Sequence, residues 1–183
     1  MSEQIHSESQ KIFGNVNYEY PIKIETNQSD LLKSWGSFKP DKVNLSILGI
    51  KNSEAVKLFD VFHTIDREKI AKEFSKYQHL LKDKKFFVQI NTGREKSKSG
   101  IYPEDTKDFL FFLKNEINLN IQGLMCIPPI ADDPKYHFKQ LQNLAKENSI
   151  SKLSIGMSGD YKEALPFKPT YIRLGTILFG KRN

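Results

Sequence analysis

From Val43 onward the apolar residues of the chain fall into two alternating patterns. Short runs rich in β-branched and aromatic residues mark strands; longer stretches with apolar positions three or four apart mark amphipathic helices. The short runs predict strands over residues 43–48 (VNLSIL), 61–65 (VFHTI), 86–91 (FFVQIN), 121–126 (IQGLMC), 152–156 (KLSIG) and 170–175 (TYIRLG). The longer stretches predict helices over 53–58, 66–77, 103–115, 134–148 and 160–165. Asp66 precedes REKIAKEF, where Ile70 and Phe74 lie four apart on one face, and is expected to cap that helix's open N–H groups. Pro103 with Glu104 and Asp105 suits a first turn, where proline loses no hydrogen bond and acids meet the positive dipole end. In KYHFKQLQNLAKEN, Phe138, Leu141, Leu144 and Ala145 form one stripe, as expected of an exterior helix packed on a sheet.

Strict alternation of strand and helix requires parallel strands, because each crossover helix carries the chain back to the same end. An open doubly wound sheet and a closed (β/α) barrel both satisfy this, and periodicity does not separate them. Ahead of Val43, KIFGNVNY offers one more short strand, and IKIETNQSDLLKSW reads as a polar loop entering a helix around 30–35. Seven strands at most follow, one fewer than a barrel of eight.

Composition narrows the class. A chain of 183 residues, 38% hydrophobic and 27% charged, is expected to form one globular domain over 1–183. No apolar run approaches the roughly 18 residues of a membrane span, and MSEQIHSESQ lacks the basic start and apolar stretch of a secretion signal. A cytoplasmic, membrane-free protein is expected. The single cysteine, Cys126, cannot form an internal disulfide, which agrees with a reducing compartment. The net charge of +6 admits anions, but its lysines are interspersed with acids in LKDKKFF and REKSKSG, the pattern of a solvated surface rather than a nucleic-acid site.

Candidate chemistry gathers near the C-terminus. In parallel α/β folds the loops leaving the C-terminal ends of strands form the ligand face. GMSGDY leaves one predicted strand and GTILFG the next, so two loops with small residues meet there. Gly156, Ser158 and Gly159, with Gly175 and Thr176, would bring backbone N–H groups and hydroxyls close to an anion, and a phosphate is the natural guest. Glycines that merely end strands are the plainer alternative, weakened because two consecutive strand ends share the feature. Arg173, two residues before Gly175, must point outward, find a buried anion, or face the barrel mouth and meet a ring nitrogen or a phosphate. Asn91 ends another strand ahead of the polar loop NTGREKSKSGI, with function and structure evenly balanced. Cys126 has no His or Asp placed by sequence to activate it and reads as a small buried hydrophobe; His63, His79 and His137 lack metal-ligand spacing. No catalytic set and no metal site are expected.

Taken together, LFDVFHTIDREKIA, FVQINTGREKSKSGI, GLMCIPP, LSIGMSGDYKEA and IRLGTILFGKR resemble the pyridoxal phosphate homeostasis proteins, a family built like the N-terminal domain of alanine racemase. The resemblance runs from Phe59 to Arg182. It implies a (β/α) TIM-type barrel that binds pyridoxal 5'-phosphate without established turnover, buffering the cofactor and delivering it to enzymes that depend on it. It sets Ser158, Gly159, Gly175 and Thr176 against the phosphate, Met157 along the pocket and Arg173 against the pyridine nitrogen. Residues 1–42 depart from the pattern. The family opens with a strand near Ala-Val-Ser-Lys-Thr, whose lysine forms the Schiff base, then a helix, then Phe-Gly-Glu-Asn. KIFGNVNY stands for that last segment with ten residues ahead of it, so the barrel is expected to be incomplete, without the first strand and its lysine. Lys11 falls at a second-strand position and is no substitute; Asn15 or Asn17 takes the family asparagine's place. LGIKNSEAVK keeps Gly49 but has Asn52, Glu54 and Ala55 where Gln, Asn and Lys would stand. Three outcomes remain open: noncovalent or weak cofactor binding, loss of binding with action through protein contacts, or a chain whose true start lies upstream. A racemase is not expected, and an open barrel edge would leave a monomer or a weakly self-associating chain.

Overall fold

The structure, a computed structural model, describes residues 55–57 and 59–179. Five strands, β1 (Val61–Ile65), β2 (Lys85–Ile90), β3 (Ile121–Cys126), β4 (Lys152–Met157) and β5 (Tyr171–Arg173), form one parallel sheet in sequence order. Between them run the helices α1 (Glu68–Ser75), α2 (Thr106–Asn115), α3 (Pro134–Glu147) and α4 (Tyr161–Ala164), and α5 (Thr176–Phe179) follows β5. The parallel strand and helix alternation expected from the sequence is therefore present. The predicted strand at 43–48, the helix at 30–35, and Lys11, Asn15, Asn17, Gly49, Asn52 and Glu54 lie outside the described residues. Of the helix predicted over 53–58, residues 55–57 are described and helical.

The sheet curls. Adjacent strands lie about 4.8 Å apart, so a flat sheet would separate β1 from β5 by nearly 20 Å. Instead the ring of His63 on β1 lies 5.0 Å from that of Tyr171 on β5, and His63 Nδ1 reaches Ser154 Oγ on β4 at 2.8 Å. The five strands thus enclose an interior, as a partial barrel does. Alternation sends Phe62, Phe86, Val88, Ile90, Leu124, Cys126, Leu153 and Ile155 outward against the helices, where they join Phe74, Leu113, Phe138 and Leu141 in one core cluster. Each such side chain contributes roughly 1.5–3 kcal/mol by leaving water. Inside, Val61, Phe87 and Met125 pack with Tyr171 as an apolar floor. Gly123 makes that floor possible: a Cβ there would lie 2.5 Å from the Lys152 carbonyl oxygen and collide with the Phe87 ring.

The helix starts depart from expectation in one place. Asp66 does not cap α1; Arg67 occupies the cap position, with no side-chain capping bond. β1 explains this, for Phe62 pairs with Phe86 but Ile65 with Val88, a bulge of one residue. The bulge keeps Phe62 and Ile65 on the helix side, and Asp66 is buried one residue ahead of the cap position. The cap of α3 is Asp133, whose Oδ1 accepts from the Lys135 N–H at 3.0 Å. Phe138, Leu141 and Ala145 form its buried stripe, as the spacing predicted, with Leu144 beside it.

Candidate functional site

The C-terminal ends of β4 and β5 lie side by side, with Met157 opposite Arg173 in register. β4 ends through Gly156, whose φ of +89° favours glycine and whose Cβ would stand 2.9 Å from that of Ala164. The loop after it is fastened by Asp160: its Oδ1 accepts from the Met157 N–H at 2.6 Å, and its own N–H donates to the Met157 carbonyl at 3.1 Å. That fastening presents Ser158 to the start of α5. Ser158 Oγ accepts from the backbone N–H of Gly175 at 3.1 Å and of Ile177 at 3.3 Å. Two N–H groups thus converge on one oxygen, the arrangement that anion-binding backbone concavities use. Gly159 and Gly175 are exposed and border open space, with nothing within 4 Å of an added Cβ, and Thr176 is exposed beside them. Ser158, Gly159, Gly175 and Thr176 are brought together, as the two glycine-containing loops suggested.

Arg173 takes the inward placement, one of those open from the sequence, with partners the sequence did not display. It is half-buried, projects into the curled interior and binds carbonyl dipoles: Nη1 donates to the Ser154 carbonyl at 2.8 Å and to Ser154 Oγ at 2.7 Å, and Nη2 donates to the Cys126 carbonyl at 2.9 Å. Burial pulls the guanidinium below its ordinary pKa, opposed by Cys126 and Asp160, yet an arginine so placed remains a cation. A fixed positive charge therefore stands two residues before the first of the two N–H groups and four before the second.

The other candidates are structural. Asn91 is buried and staples the loop after β2: its Nδ2 donates to the carbonyls of Glu95 at 2.9 Å and Lys98 at 3.3 Å, and its Oδ1 accepts from the Glu95 N–H at 3.1 Å. Cys126 lies in the helix-side core, and burial pushes its thiol up to about 12, with Arg173 and Thr92 pulling the other way. A thiol so inert agrees with the reading as a hydrophobe. His137 is buried on α3 with Nε2 3.1 Å from Asp132 Oδ2, and His79 belongs to a short turn at Gln78–Leu80. Among the described residues no group of three His, Cys, Asp or Glu could hold a metal ion, and no helix is long and apolar enough to cross a membrane. Sequence reasoning missed Ser154, His63 and Asp160. A small polar residue between Leu153 and Ile155 was the available signal for Ser154, since alternation turns it inward; nothing local marks its partner 91 residues away.

A curled parallel sheet whose last two strands end in adjoining small-residue loops defines a class. Residues 42–183 match the family model of the alanine racemase N-terminal domain. Within that class the chain belongs to the pyridoxal phosphate homeostasis protein family. It is 31% identical to the pyridoxal phosphate homeostasis protein of Pseudomonas aeruginosa, over 98% of this chain and 78% of that one. The Vibrio cholerae protein of the same name is 38% identical over 68% of this chain and 57% of its own length. Among solved structures, PipY of Synechococcus elongatus, 28% identical, superposes with a TM-score of 0.62 over 72% of this chain and 67% of that chain. The form of PipY with pyridoxal phosphate bound superposes at 0.58, over 69% and 64%. The alanine racemase N-terminal-like fold, expected from five motifs, is thereby established.

Proposed function

We propose that this chain binds pyridoxal 5'-phosphate noncovalently at the ends of β4 and β5, holds it without turnover, and serves cofactor homeostasis by releasing it to enzymes that require it. The convergence of the Gly175 and Ile177 N–H groups on Ser158 Oγ carries the reading, because that oxygen stands where a phosphate oxygen would accept both bonds. A phosphate is the stronger acceptor, and a turn of Ser158 about χ1 would exchange its hydroxyl for the anion and make that hydroxyl a further donor. Gly159 and Gly175 leave open space, Thr176 would add a hydroxyl, and Met157, opposite Arg173 in register, would line the pocket. Such a cup contributes a few kcal/mol, roughly, even without a covalent anchor.

When bound, the cofactor supplies an aldehyde and an electron-accepting pyridine ring. Arg173 limits the second property. A guanidinium has only donors, so it meets the ring nitrogen as an acceptor and opposes its protonation, which leaves the ring a poorer electron sink. A charge already clamped to three oxygens suits holding better than turnover.

One observation favours a second reading, in which the chain acts through protein contacts alone: the two N–H groups are already satisfied by Ser158. Equilibrium dialysis with pyridoxal phosphate, with absorbance spectra before and after borohydride, separates the two. Retention without a borohydride-fixed adduct, abolished by Arg173→Ala and by Thr176→Val, is the expected result. No retention supports protein contacts, and a fixed adduct shows that a lysine of this chain anchors the cofactor.

A further inference from the structure

Behind the cup, the curled interior joins three polar side chains from three strands: His63 of β1, Ser154 of β4 and Arg173 of β5. Ser154 is fully buried and His63 is 4% exposed. One oxygen links them, for Ser154 Oγ lies 2.7 Å from Arg173 Nη1 and 2.8 Å from His63 Nδ1. Arginine can only donate, so Oγ accepts from Nη1. The hydroxyl's own hydrogen then needs an acceptor, and His63 Nδ1 is the one that faces it among the described residues. Were Nδ1 protonated, Oγ would accept twice and leave its hydrogen unsatisfied in a buried site, at a cost of about 1–3 kcal/mol. The Ser154 hydroxyl is satisfied in one direction, with the bonds running from Arg173 through Ser154 to an unprotonated His63 Nδ1, which places the ring's proton on Nε2. Phe87, stacked on the imidazole at 4.9 Å and 11°, and Tyr171, edge-on at 5.0 Å, hold its plane.

We propose that Ser154 and His63 are positioning residues for Arg173. Both Nη1 hydrogens go to Ser154 and one Nη2 hydrogen goes to the Cys126 carbonyl, which leaves Nε–H and the second Nη2 hydrogen to meet a ligand ring. The chain of donors thus decides which edge of the guanidinium faces the site. The identity of that ring rests on the cofactor reading above; the chain of donors is a property of the protein.

The test uses the full-length protein labelled with nitrogen-15, first without cofactor. Expected are the Nε2–H tautomer at His63 and separate Nη resonances for Arg173, as hindered rotation produces. Ser154→Ala should mix the tautomers, merge the Nη signals and weaken pyridoxal phosphate retention about tenfold, the loss of one charge-assisted bond's worth of orientation. Ser154→Thr, which keeps the hydroxyl, should restore all three. An Nδ1–H tautomer in the unsubstituted protein overturns the proposal, as does a Ser154→Ala protein whose histidine and arginine signals are unchanged. The unsubstituted protein decides the tautomer even if the alanine variant does not fold. Failure of the unsubstituted protein to retain pyridoxal phosphate would refute the cofactor reading while the nitrogen signals still judge the chain of donors.

Discussion

The two faces of the curled sheet come from the same five strands and do different work. Toward the helices the side chains are mostly aliphatic or aromatic, and the buried cluster includes Phe62, Phe86, Leu124, Cys126, Leu153 and Ile155. Toward the interior, an apolar floor of Val61, Phe87 and Met125 gives way to His63, Ser154 and Arg173, joined by hydrogen bonds that run from β5 to its neighbour β4 and from β4 across the interior to β1. The outer face needs only volume and apolarity, so many sequences would serve. The inner face needs particular donors and acceptors at particular distances, since each buried polar group left without a partner costs free energy comparable to the bond it lacks.

If the division holds, substitutions on the two faces should separate stability from ligand retention. The largest effect belongs to the outer face: Phe86→Ala, at a fully buried ring packed against Phe62 and Phe74, should cost about 3–5 kcal/mol in denaturant unfolding. Second comes Cys126, whose folded pKa is raised by burial above its unfolded value. Its contribution is fully present below about pH 9 and is lost as pH rises toward 12, at about 1.4 kcal/mol per pH unit. The difference in unfolding free energy between the unsubstituted protein and Cys126→Ala, followed with pH, isolates that slope; a flat difference would move the thiol out of the core.

Third, on the inner face, Arg173→Gln should reduce pyridoxal phosphate retention at least tenfold, or about 1.4 kcal/mol, in equilibrium dialysis. Equal retention would show that the cup acts without the cation. The smallest stability effect is expected at Gly159→Ala, whose Cβ meets nothing within 4 Å. Thermal unfolding should shift by less than about 0.5 kcal/mol, while retention falls because the methyl group projects into the space a phosphate would use. A Gly159→Ala protein that loses stability but keeps retention would blur the comparison.

Legibility followed the same division. Among the described residues, the strands at 61–65 and 121–126 are readable to the residue, and the three at 86–91, 152–156 and 170–175 to within one or two, because burial against helices imposes a local pattern on each run. The stripe of α3 was equally plain. The cap of α1 is not legible, because a bulge in β1 shifts the register with β2 just ahead of the helix, and that shift depends on a partner strand distant in sequence. In the cup, small residues after two consecutive strands announced the meeting of Ser158 with Gly175, and five motifs carried the family resemblance. Asn91 looked evenly balanced because a loop staple and a ligand contact require the same side chain at the same strand end.

By itself, then, the sequence determined the parallel alternation of strand and helix, the apolar face of each element, and the two loops that supply small residues and N–H groups at one end of the sheet. Those are consequences of local periodicity and of chain connectivity. Only the tertiary structure decided where Arg173 points and that Ser154 and His63 stand behind it. Their contacts join β1, β4 and β5, and curling brings these strands together through the packing of the whole sheet, a distance in space that no spacing along the chain encodes.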